Sequence, residues 1–327
     1  MNVKIAGLNG FGRFGLHLLK YWLDRSDNSS FELKYINDEV LNIDEALKII
    51  NTDTAVIFNK YKISISGSNL LILQPNGVKH IIHYSSTKKV EIPWLGKPDI
   101  FFECSGNNTV SRDCKLFIKR KTKHVLISAT SWDCDQTLVF GYNHEQFDKK
   151  NRVISYGSCT VNAYTPLANF INKKYGVYDS DANFIHNIQN YKLKYFNSLN
   201  RKFCTLEKSG PNLLRFLNRE NFTVNYTVIP FSGVSMLDLR FRLKKNVSRD
   251  VFINDLQREI IGGSLKGLYD LNEADIGPEV YNCTTYSAVF IKENIRVLSD
   301  NIYLYGYFDN ENSVNRYYDL ANFICFK

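Results

Sequence analysis

The sequence predicts an α/β protein in which a doubly wound parallel sheet is joined to an α+β domain with a mainly antiparallel sheet. Short apolar strands alternate with helices through the first half, for example at 3–8 and 99–104. This alternation is typical of a parallel sheet with helices on both faces. After residue 182 the pattern changes to long strands, such as those within 222–245 and at 302–308, which indicate antiparallel pairing.

The remaining elements follow from local patterns along the chain. The first half is predicted to hold helices at 13–23, 43–50 and 110–118 and strands at 31–36, 55–58, 62–66, 70–74, 124–128 and 138–141. The second half is predicted to hold a strand at 182–188, a strand at 286–291 and helices at 211–217, 251–260 and 313–326. We therefore expect one domain at 1–157, with a C-terminal helix at 309–327 packing back on it, and a second domain at 158–308.

Length and composition exclude several classes of protein. The 327 residues are enough for two domains with buried cores, and a hydrophobic fraction of 44% argues against disorder. The seven cysteines contain no C-x-x-C pair, which predicts reduced thiols and no metal site. Without an apolar run long enough to cross a membrane, we expect a soluble cytoplasmic protein.

The net charge of +8 would suit an anionic ligand. The basic residues are nevertheless spread along the sequence, with only short clusters such as Lys119–Lys121. A distribution of this kind usually reflects an ordinary solvated surface. We therefore expect a small-molecule substrate, and neither nucleic acid nor a membrane as the main partner.

The turn after the first strand predicts a dinucleotide site in a Rossmann-type domain. Gly10, Gly12 and Gly15 form a G-x-G-x-x-G pattern at a strand-to-helix junction, where the backbone can approach a pyrophosphate closely. Asp38 lies at the end of the next strand, where a carboxylate binds the ribose 2′-hydroxyl and repels a 2′-phosphate. The expected cofactor is therefore NAD, although Asp38 could instead be a surface turn residue.

Further candidates for cofactor binding lie at the same edge of the sheet. They are the residues that follow two later strands, Ser105, Gly106 and Ser128, together with Phe11 and Phe14 at the glycine turn. Because the carboxyl ends of parallel strands meet at one edge, these positions would line a single crevice.

A cysteine is predicted to lie at the N-terminus of the long helix of the second half. The apolar strand of 153–154 runs through small residues into a helix that begins just after Cys159 and ends at Gly176. A thiol at a helix N-terminus is expected to have a lowered pKa and to be a nucleophile. The alternative is a small buried apolar side chain, which most isolated cysteines are.

His186 is the candidate base for Cys159. A thiolate can add to an aldehyde, and loss of hydride to a nicotinamide then leaves a thioester. Histidine suits the proton transfers in this sequence, and the N–H of Cys159 could stabilise the oxyanion. A structural role for His186 is the alternative.

At this point the chain resembles the glyceraldehyde-3-phosphate dehydrogenase family over nearly its whole length. The matching stretches are Gly7–Gly15 (G-L-N-G-F-G-R-F-G), 35–38 (Y-I-N-D), 103–106 (E-C-S-G), 124–129 (H-V-L-I-S-A), 141–145 (G-Y-N-H-E), 158–162 (S-C-T-V-N), 166–168 (P-L-A), His186, 308–311 (F-D-N-E) and 315–316 (N-R). The resemblance implies that Cys159 is the nucleophile and His186 the base. It also implies that Arg13 and Asp38 bind the cofactor's pyrophosphate and adenosine ends, with Ser128 and Asn310 near the nicotinamide.

The substrate side departs from the family pattern. Gln189 and Tyr191 stand where the family has phosphate-binding threonines, and Val228 stands where it has a phosphate-binding arginine. Valine supplies neither the charge nor the bidentate hydrogen bonds of arginine. The loop after His186, which contributes to tetramers in the family, is also shorter here, so either a tetramer or a dimer is expected.

The remaining candidates for substrate binding are two hydroxyl groups and one helix N-terminus. Ser158 and Thr160 flank the cysteine, and the family's T-G helix start is placed at Ser209 and Gly210, with Pro211 as the first helical residue. A register starting at Thr205 is the alternative. Cations of the remodelled loop could restore positive charge, or could be ordinary surface residues: Lys192, Lys194, Arg201, Lys202 and Lys208.

The sequence therefore predicts NAD-dependent oxidation of a small aldehyde, phosphorylated in the family's glycolytic reaction, through a cysteine thioester. The first alternative is a paralogue that retains the fold and NAD binding without efficient turnover, as Val228 suggests. A semialdehyde dehydrogenase is the second alternative, and the N-G-F-G-R and S-C-T-x-N runs argue against it.

Overall fold

The computed structural model describes residues 3–188, 193–194, 198–231 and 233–327, and at Asn310 the backbone only. The chain divides into two compact units. Unit 1 comprises Met1–Leu138, Asn143–Gly157 and Tyr317–Lys327, and unit 2 comprises Val139–Tyr142 and Ser158–Arg316. The α/β fold class predicted from the sequence is confirmed, with a mainly parallel sheet in unit 1 and a mixed sheet in unit 2.

Unit 1 is organised around one sheet of nine strands. The strands are β1 (Lys4–Asn9), β2 (Phe31–Asn37), β3 (Lys62–Ser66), β4 (Asn69–Leu73), β5 (Lys79–Ser85), β6 (Ile100–Glu103), β7 (His124–Ile127), β8 (Gln136–Thr137) and β9 (Val153–Ser155). The helices are α1 (Arg13–Arg25), α2 (Ile43–Thr52) and α3 (Ser111–Lys115). The strand order is β3-β4-β5-β2-β1-β6-β7-β9-β8, and only β3 and β4 pair antiparallel with their neighbours. The chain therefore winds outward on both sides of β1, as a doubly wound sheet does.

The central strands of unit 1 are buried on both faces. All four residues of β6 are buried, as expected for a parallel strand covered by helices. One face packs an aromatic cluster in which Trp94, Phe101 and Phe117 are almost fully buried, with the two phenylalanine rings stacked 4.2 Å apart. This packing buries one face of the central strands.

Unit 2 has a mainly antiparallel sheet and two larger helices. The strands are β10 (Val177–His186), β11 (Asn200–Arg201), β12 (Phe222–Val228), β13 (Ser235–Leu243), β14 (Tyr269–Asn272), β15 (Ala288–Ile291), β16 (Arg296–Leu298) and β17 (Asn301–Phe308). The helices are α4 (Cys159–Tyr175), α5 (Leu206–Leu213) and α6 (Arg249–Gly262), and the last helix of the chain, α7 (Asn310–Phe326), begins in unit 2 and ends in unit 1. In β10 the residues that alternate toward the core, Ala182, Phe184 and His186, are buried.

Capping residues delimit the two longer helices of unit 2, α4 and α6. The Ser158 hydroxyl accepts the Val161 N–H at the start of α4, and Gly176 ends that helix with φ of +70°, a conformation that glycine adopts without cost. Ser248 caps α6 by accepting the Val251 N–H.

Three predicted elements were wrong in position or kind. Residues 55–58 are not a strand, because the Asp53 carboxylate accepts the N–H groups of Ala55 and Val56 and closes a turn. Residues 138–141 are not a strand either, because the Tyr142 N–H bonds to the Val139 carbonyl in another turn. The strands β5, β8, β11, β14 and β16 were not predicted.

The third error concerns the helix predicted at 211–217, which lies at Leu206–Leu213. The Ser209 N–H bonds to the Thr205 carbonyl, and the Glu207 side chain reaches back to the Cys204 N–H, so the helix begins one turn earlier than predicted. Pro211 consequently lies inside the helix rather than at its first position.

Candidate active site

The glycine turn of unit 1 has the backbone geometry of a dinucleotide cradle. Gly10 has φ of +94°, and a Cβ atom there would lie 2.4 Å from the backbone of Ser105, in the loop after β6. At Gly15 a Cβ would lie 2.1 Å from the Gly10 carbonyl oxygen. The turn therefore needs glycine at both positions to bring β1, the loop after β6 and α1 together.

The N-terminus of α1 has no side-chain cap. Gly12 is its N-cap, so no side chain caps the helix, and no acidic residue lies in the first turn. A Cβ at Gly12 would meet nothing within 4 Å, which leaves room beside the first N–H groups of the helix. An uncapped helix N-terminus with open space beside a glycine turn suits a pyrophosphate, and the Rossmann-type sheet of unit 1 fits NAD.

Asp38 is held rigidly at the end of β2. One carboxylate oxygen accepts the Phe11 N–H of the glycine turn at 2.6 Å, and the other accepts the N–H groups of Val40 and Leu41 at 2.9 Å. Asp38 is thus a positioned carboxylate rather than a free surface residue. Its place beside the glycine turn is the one expected of a ribose ligand.

A buried polar network beneath the cradle was missed from the sequence. The Asn9 amide donates to Glu103 at 2.8 Å, and the Asn37 amide donates to the Asn9 side-chain oxygen at 2.9 Å. The Ser85 hydroxyl donates to the Asn37 side-chain oxygen at 2.8 Å. Burial raises the pKa of Glu103. The sequence feature that could have revealed this network is a polar residue at the end of each of four adjacent strands, β5, β2, β1 and β6.

The other predicted cofactor residues lie at the same carboxyl edge of the unit 1 sheet. Arg13 is the first residue of α1, and its side chain forms an ion pair with Asp53. Phe11 is buried and Phe14 packs in the core of unit 1. The loop residues that follow the strands are Ser105 and Gly106 after β6 and Ser128 after β7. The side chain predicted near the nicotinamide at Asn310 lies outside what the structure describes.

Unit 2 brings the predicted nucleophile and base together. Cys159 is the first residue of α4 and His186 is the last residue of β10. The Cys159 Sγ lies 3.5 Å from the His186 Nε2, and both side chains are buried. The His186 ring packs between Tyr226 and Phe308, with ring centres 5.3 Å and 5.6 Å away.

The tautomer of His186 follows from its second nitrogen. Nδ1 lies 2.7 Å from the Asn187 carbonyl oxygen, which can only accept a hydrogen bond, so Nδ1 carries the proton. In the neutral ring, the lone pair of Nε2 therefore faces the Cys159 thiol. This is the orientation that a general base requires.

The prediction that Cys159 has a lowered pKa was wrong. Burial, and then the neighbouring thiol of Cys204, raise the pKa of Cys159 to about 12. The carboxylates of Asp309 and Glu311 act in the same direction. The Thr160 N–H lowers the pKa, as expected at a helix N-terminus, but the loss of hydration outweighs it. Formation of a thiolate at neutral pH therefore depends on a proton acceptor, and His186 is within reach.

Three hydroxyl groups form a cluster around Ser158, the residue that precedes Cys159. The Ser158 Oγ lies 3.1 Å from the Thr160 Oγ1 and 2.9 Å from the Thr205 Oγ1, and the buried Cys204 thiol lies 3.5 Å from Thr160. Thr205 directly precedes α5, so the alternative register of the sequence is the one the structure adopts.

Ser209 and Gly210 do not occupy the helix start predicted for them. Both are buried inside α5, and a Cβ at Gly210 would lie 2.7 Å from the Phe222 ring. Glycine is needed there for packing against β12. Thr205 replaces them at the helix start.

Val228 lies directly beside the base. In the parallel pairing of β10 and β12 it is the partner of His186, and it is buried. On its other side it pairs with Asn200 of β11. The predicted loop residues Gln189, Tyr191 and Lys192 lie outside the described residues, whereas Arg201 and Lys202 are exposed.

The described residues contain neither a candidate metal site nor a candidate membrane-spanning helix. No group of histidine, cysteine, aspartate or glutamate side chains in the described part could hold a metal ion. No helix within the described ranges has the length and apolar character needed to span a bilayer.

Comparison with known proteins gives relatives over the full length of the chain. It is 27% identical to glyceraldehyde-3-phosphate dehydrogenase 3.1 of Caenorhabditis briggsae, with both chains covered completely. It is 29% identical to glyceraldehyde-3-phosphate dehydrogenase 1 of Giardia intestinalis, over 97% of each chain. It is 27% identical to glyceraldehyde-3-phosphate dehydrogenase 1 of Bacillus cereus, over 98% of each. No protein-family model matches the chain. These relatives support a dehydrogenase of this general kind.

Proposed function

We propose that this protein is a divergent member of the glyceraldehyde-3-phosphate dehydrogenase family that oxidises a small, phosphorylated aldehyde with NAD. The observation that carries the proposal is the 3.5 Å approach of the Cys159 thiol to the His186 Nε2, with the histidine in the proton-accepting tautomer. Full-length relatives with this name support it.

The residues of unit 2 suggest how the first step proceeds. His186 accepts the Cys159 proton at Nε2 while the sulfur bonds to the aldehyde carbon. The carbonyl oxygen gains negative charge, which the N–H groups at the start of α4 can stabilise. The protonated ring can return its proton to that oxygen, which gives a neutral hemithioacetal on Cys159.

NAD, when bound, supplies the acceptor for the hydride that leaves the hemithioacetal carbon. The residues that would hold it are the turn Gly10–Arg13 and Asp38, with the loops at Ser105–Gly106 and Ser128. His186 again takes the hydroxyl proton as the thioester forms on Cys159. The acyl group then passes from sulfur to phosphate or water, and the thiol is regenerated.

The hydroxyl cluster is the proposed contact for the substrate's distal group. The hydroxyl groups of Thr160 and Thr205 lie 3.1 Å and 2.9 Å from the Ser158 hydroxyl. Hydroxyl groups can hydrogen-bond a phosphate but do not neutralise it. With Val228 in place of the family's arginine, we expect weak binding of phosphorylated substrates.

Family resemblance also supports an assembly and a location. We propose a cytoplasmic homo-oligomer, either a dimer or a tetramer. Light scattering of the purified protein measures the subunit number directly, and a monomer would contradict this part of the proposal.

The decisive experiment is turnover by the purified chain. NADH formation is followed with glyceraldehyde 3-phosphate, a tetrose phosphate and their unphosphorylated counterparts, with phosphate present and absent. We expect reduction of NAD with at least one aldehyde and none with Cys159→Ser. If the wild-type protein binds NAD but reduces it with no aldehyde of the panel, the enzymatic proposal fails.

A second function is favoured by one observation, the buried Val228 beside His186. A paralogue that retains the fold and NAD binding, but not efficient turnover, would tolerate loss of the phosphate-binding arginine. This function predicts tight NAD binding by calorimetry together with the absence of turnover in the same panel.

A further inference from the structure

Basic residues that are far apart in the sequence lie together at the amino ends of the parallel strands in unit 1. β1, β6, β7 and β9 are adjacent and parallel, so their starts lie along one edge of the sheet. Exposed cations occupy these starts and the turns that lead into them: Lys4, Lys97, Lys119, Arg120, Lys121, Lys123, Lys149, Lys150 and Arg152. We call this set the basic edge.

Backbone contacts hold the basic edge together. The Asp99 N–H bonds to the Ile5 carbonyl at 2.8 Å, and the Lys123 N–H bonds to the Asp99 carbonyl at 2.9 Å. The Arg152 carbonyl accepts the Val125 N–H at 2.8 Å, and the Arg152 guanidinium lies 3.4 Å from the Lys123 carbonyl. Segments some 120 residues apart in the sequence, counted from Lys4 to Lys123, thus form one continuous edge.

His124 lies at the start of β7, and its pKa responds to its burial and to the positive charges around it. Its Nε2 lies 3.1 Å from the Lys149 carbonyl oxygen. Burial lowers the pKa of His124, and the charges of Arg152, Lys149 and Lys4 lower it further. Cations from three different segments therefore act on one imidazole.

The acidic residues at the basic edge are engaged with the backbone instead of the cations. Asp99 accepts the Ile5 N–H at 2.8 Å, Asp135 accepts the N–H groups of Arg152 and Val153, and Asp148 accepts the Lys150 N–H at 2.9 Å. Across the described ranges, none of the cations of the basic edge forms an ion pair with a carboxylate. The charge of this edge is therefore directed to solvent.

The basic edge is separate from the cofactor cradle. The cradle lies where β1 and β6 end, at the carboxyl edge of the same sheet, whereas the basic edge lies where those strands begin. A strand of six residues, such as β1, spans roughly 20 Å at about 3.3 Å per residue. A ligand of the basic edge would leave the cradle free.

We propose that the basic edge binds the phosphate backbone of double-helical nucleic acid without reading its sequence. Neighbouring strands are about 4.8 Å apart, so four strand starts place cations along roughly 15 Å. A duplex carries a charge every ~1.7 Å of its axis and can therefore engage several of these cations at once, releasing counterions.

Two other polyanions fit the edge less well. Binding of single strands usually combines cations with exposed aromatic platforms, whereas the aromatic ring beside His124, Phe147, packs against that imidazole with centres 5.4 Å apart. Attachment to an anionic membrane typically uses an amphipathic helix, whereas the basic edge consists of strand starts and turns.

The backbone conformation of Arg120 allows its charge to be removed without strain. It has φ of +48°, a left-handed conformation that is strained for an L-residue and unstrained for glycine. Arg120→Gly therefore removes a charge without loss of stability. The test variant combines Lys119→Gln, Arg120→Gly and Lys121→Gln. The control variant removes three exposed lysines elsewhere on unit 1, by Lys48→Gln, Lys62→Gln and Lys79→Gln.

The experiment measures binding of a fluorescein-labelled, mixed-sequence RNA duplex by polarisation across a series of KCl concentrations. We expect the test variant to bind the duplex at least about tenfold more weakly at low salt. A plot of the logarithm of the binding constant against the logarithm of the KCl concentration should also be less steep by roughly three, because each lost phosphate contact lowers this slope by about one. The control variant should bind as the wild type does. A matching DNA duplex should also bind, since phosphates are the ligand.

Three results would overturn the proposal. In the first, the test and control variants bind the duplex equally. In the second, saturating NAD displaces the duplex, which would place nucleic acid in the cradle. In the third, the protein binds vesicles containing phosphatidylserine but not the duplex, which would assign the edge to membranes. None of these results bears on aldehyde oxidation.

Discussion

The cofactor cradle of unit 1 and the thiol site of unit 2 are built in different ways. The cradle depends on the backbone, because Gly10 and Gly15 admit close approaches that any side chain would block. The thiol site depends on side chains, because Cys159 and His186 come from the start of a helix and the end of a strand and meet at 3.5 Å. A site made of backbone is therefore broken by adding atoms, whereas a site made of side chains is broken by removing them.

This difference also explains how far the sequence could predict each site. The glycine turn and Asp38 lie within thirty residues of each other, and their spacing is a local pattern that the structure reproduces. The buried network of Asn9, Asn37, Ser85 and Glu103 escaped prediction because it joins four strands whose order the sequence does not state.

The thiol site was harder to predict. Pairing of Cys159 with His186 was expected from the resemblance, but the pKa of Cys159 was predicted in the wrong direction because the sequence shows a helix start and not the extent of burial. The helix at Leu206–Leu213 was misplaced because Pro211 was given the first helical position, while the signal that mattered was Glu207 bonding back to Cys204. Positions fixed by side-chain contacts over long separations are the ones that local patterns miss.

Removal of the nucleophile should have the largest effect on the thiol site. Cys159→Ser is expected to lower kcat by at least roughly 10³-fold, because a serine hydroxyl in this buried position is a far weaker nucleophile than a thiol. The measurement is steady-state NADH formation. Cys204→Ser is the matched control, since it alters the neighbouring thiol 3.5 Å from Thr160 and should retain activity. Equal losses in the two variants would contradict the assignment of Cys159.

Removal of the base should come next. His186→Asn is expected to lower kcat by about 10²–10⁴-fold at neutral pH, because the thiol loses its proton acceptor. With the pKa of Cys159 raised to about 12, any residual activity of this variant should rise with pH through the alkaline range. The check is a pH–rate profile of both proteins. A variant profile parallel to that of the wild type would show that His186 does not take the proton.

Two alanine substitutions in the cradle should separate folding from cofactor binding. Gly10→Ala is expected to lower the free energy of unfolding by about 2–4 kcal/mol, because its Cβ would meet the Ser105 backbone at 2.4 Å and its φ is +94°. Gly12→Ala should leave stability almost unchanged, since its Cβ meets nothing within 4 Å, but should weaken NAD binding by roughly tenfold if the pyrophosphate occupies that space.

Thermal unfolding and calorimetric titration with NAD measure these two effects. If Gly12→Ala binds NAD as tightly as the wild type does, the pyrophosphate does not lie beside Gly12. If Gly10→Ala is as stable as the wild type, the close approach of the two loops is not a constraint.

Replacing Val228 with the arginine that the family has at this position should have the smallest effect. Val228→Arg is expected to raise kcat/KM for a phosphorylated aldehyde, relative to its unphosphorylated counterpart, by roughly tenfold, because a charged hydrogen bond to phosphate contributes about 1.5–3 kcal/mol and burial offsets part of it. Val228→Met controls for side-chain volume. An unchanged ratio of the two kcat/KM values in the arginine variant would mean that substrate phosphate does not lie beside His186.

The most direct test of the central claim, that His186 activates a buried Cys159, is the pH dependence of Cys159 alkylation. Iodoacetamide modification is followed by mass spectrometry of the peptide that contains Cys159, with Cys204 as the internal reference. We predict that wild-type Cys159 reacts at neutral pH and that in His186→Asn its reactivity moves to strongly alkaline pH. Identical pH profiles of Cys159 in the two proteins would contradict the claim.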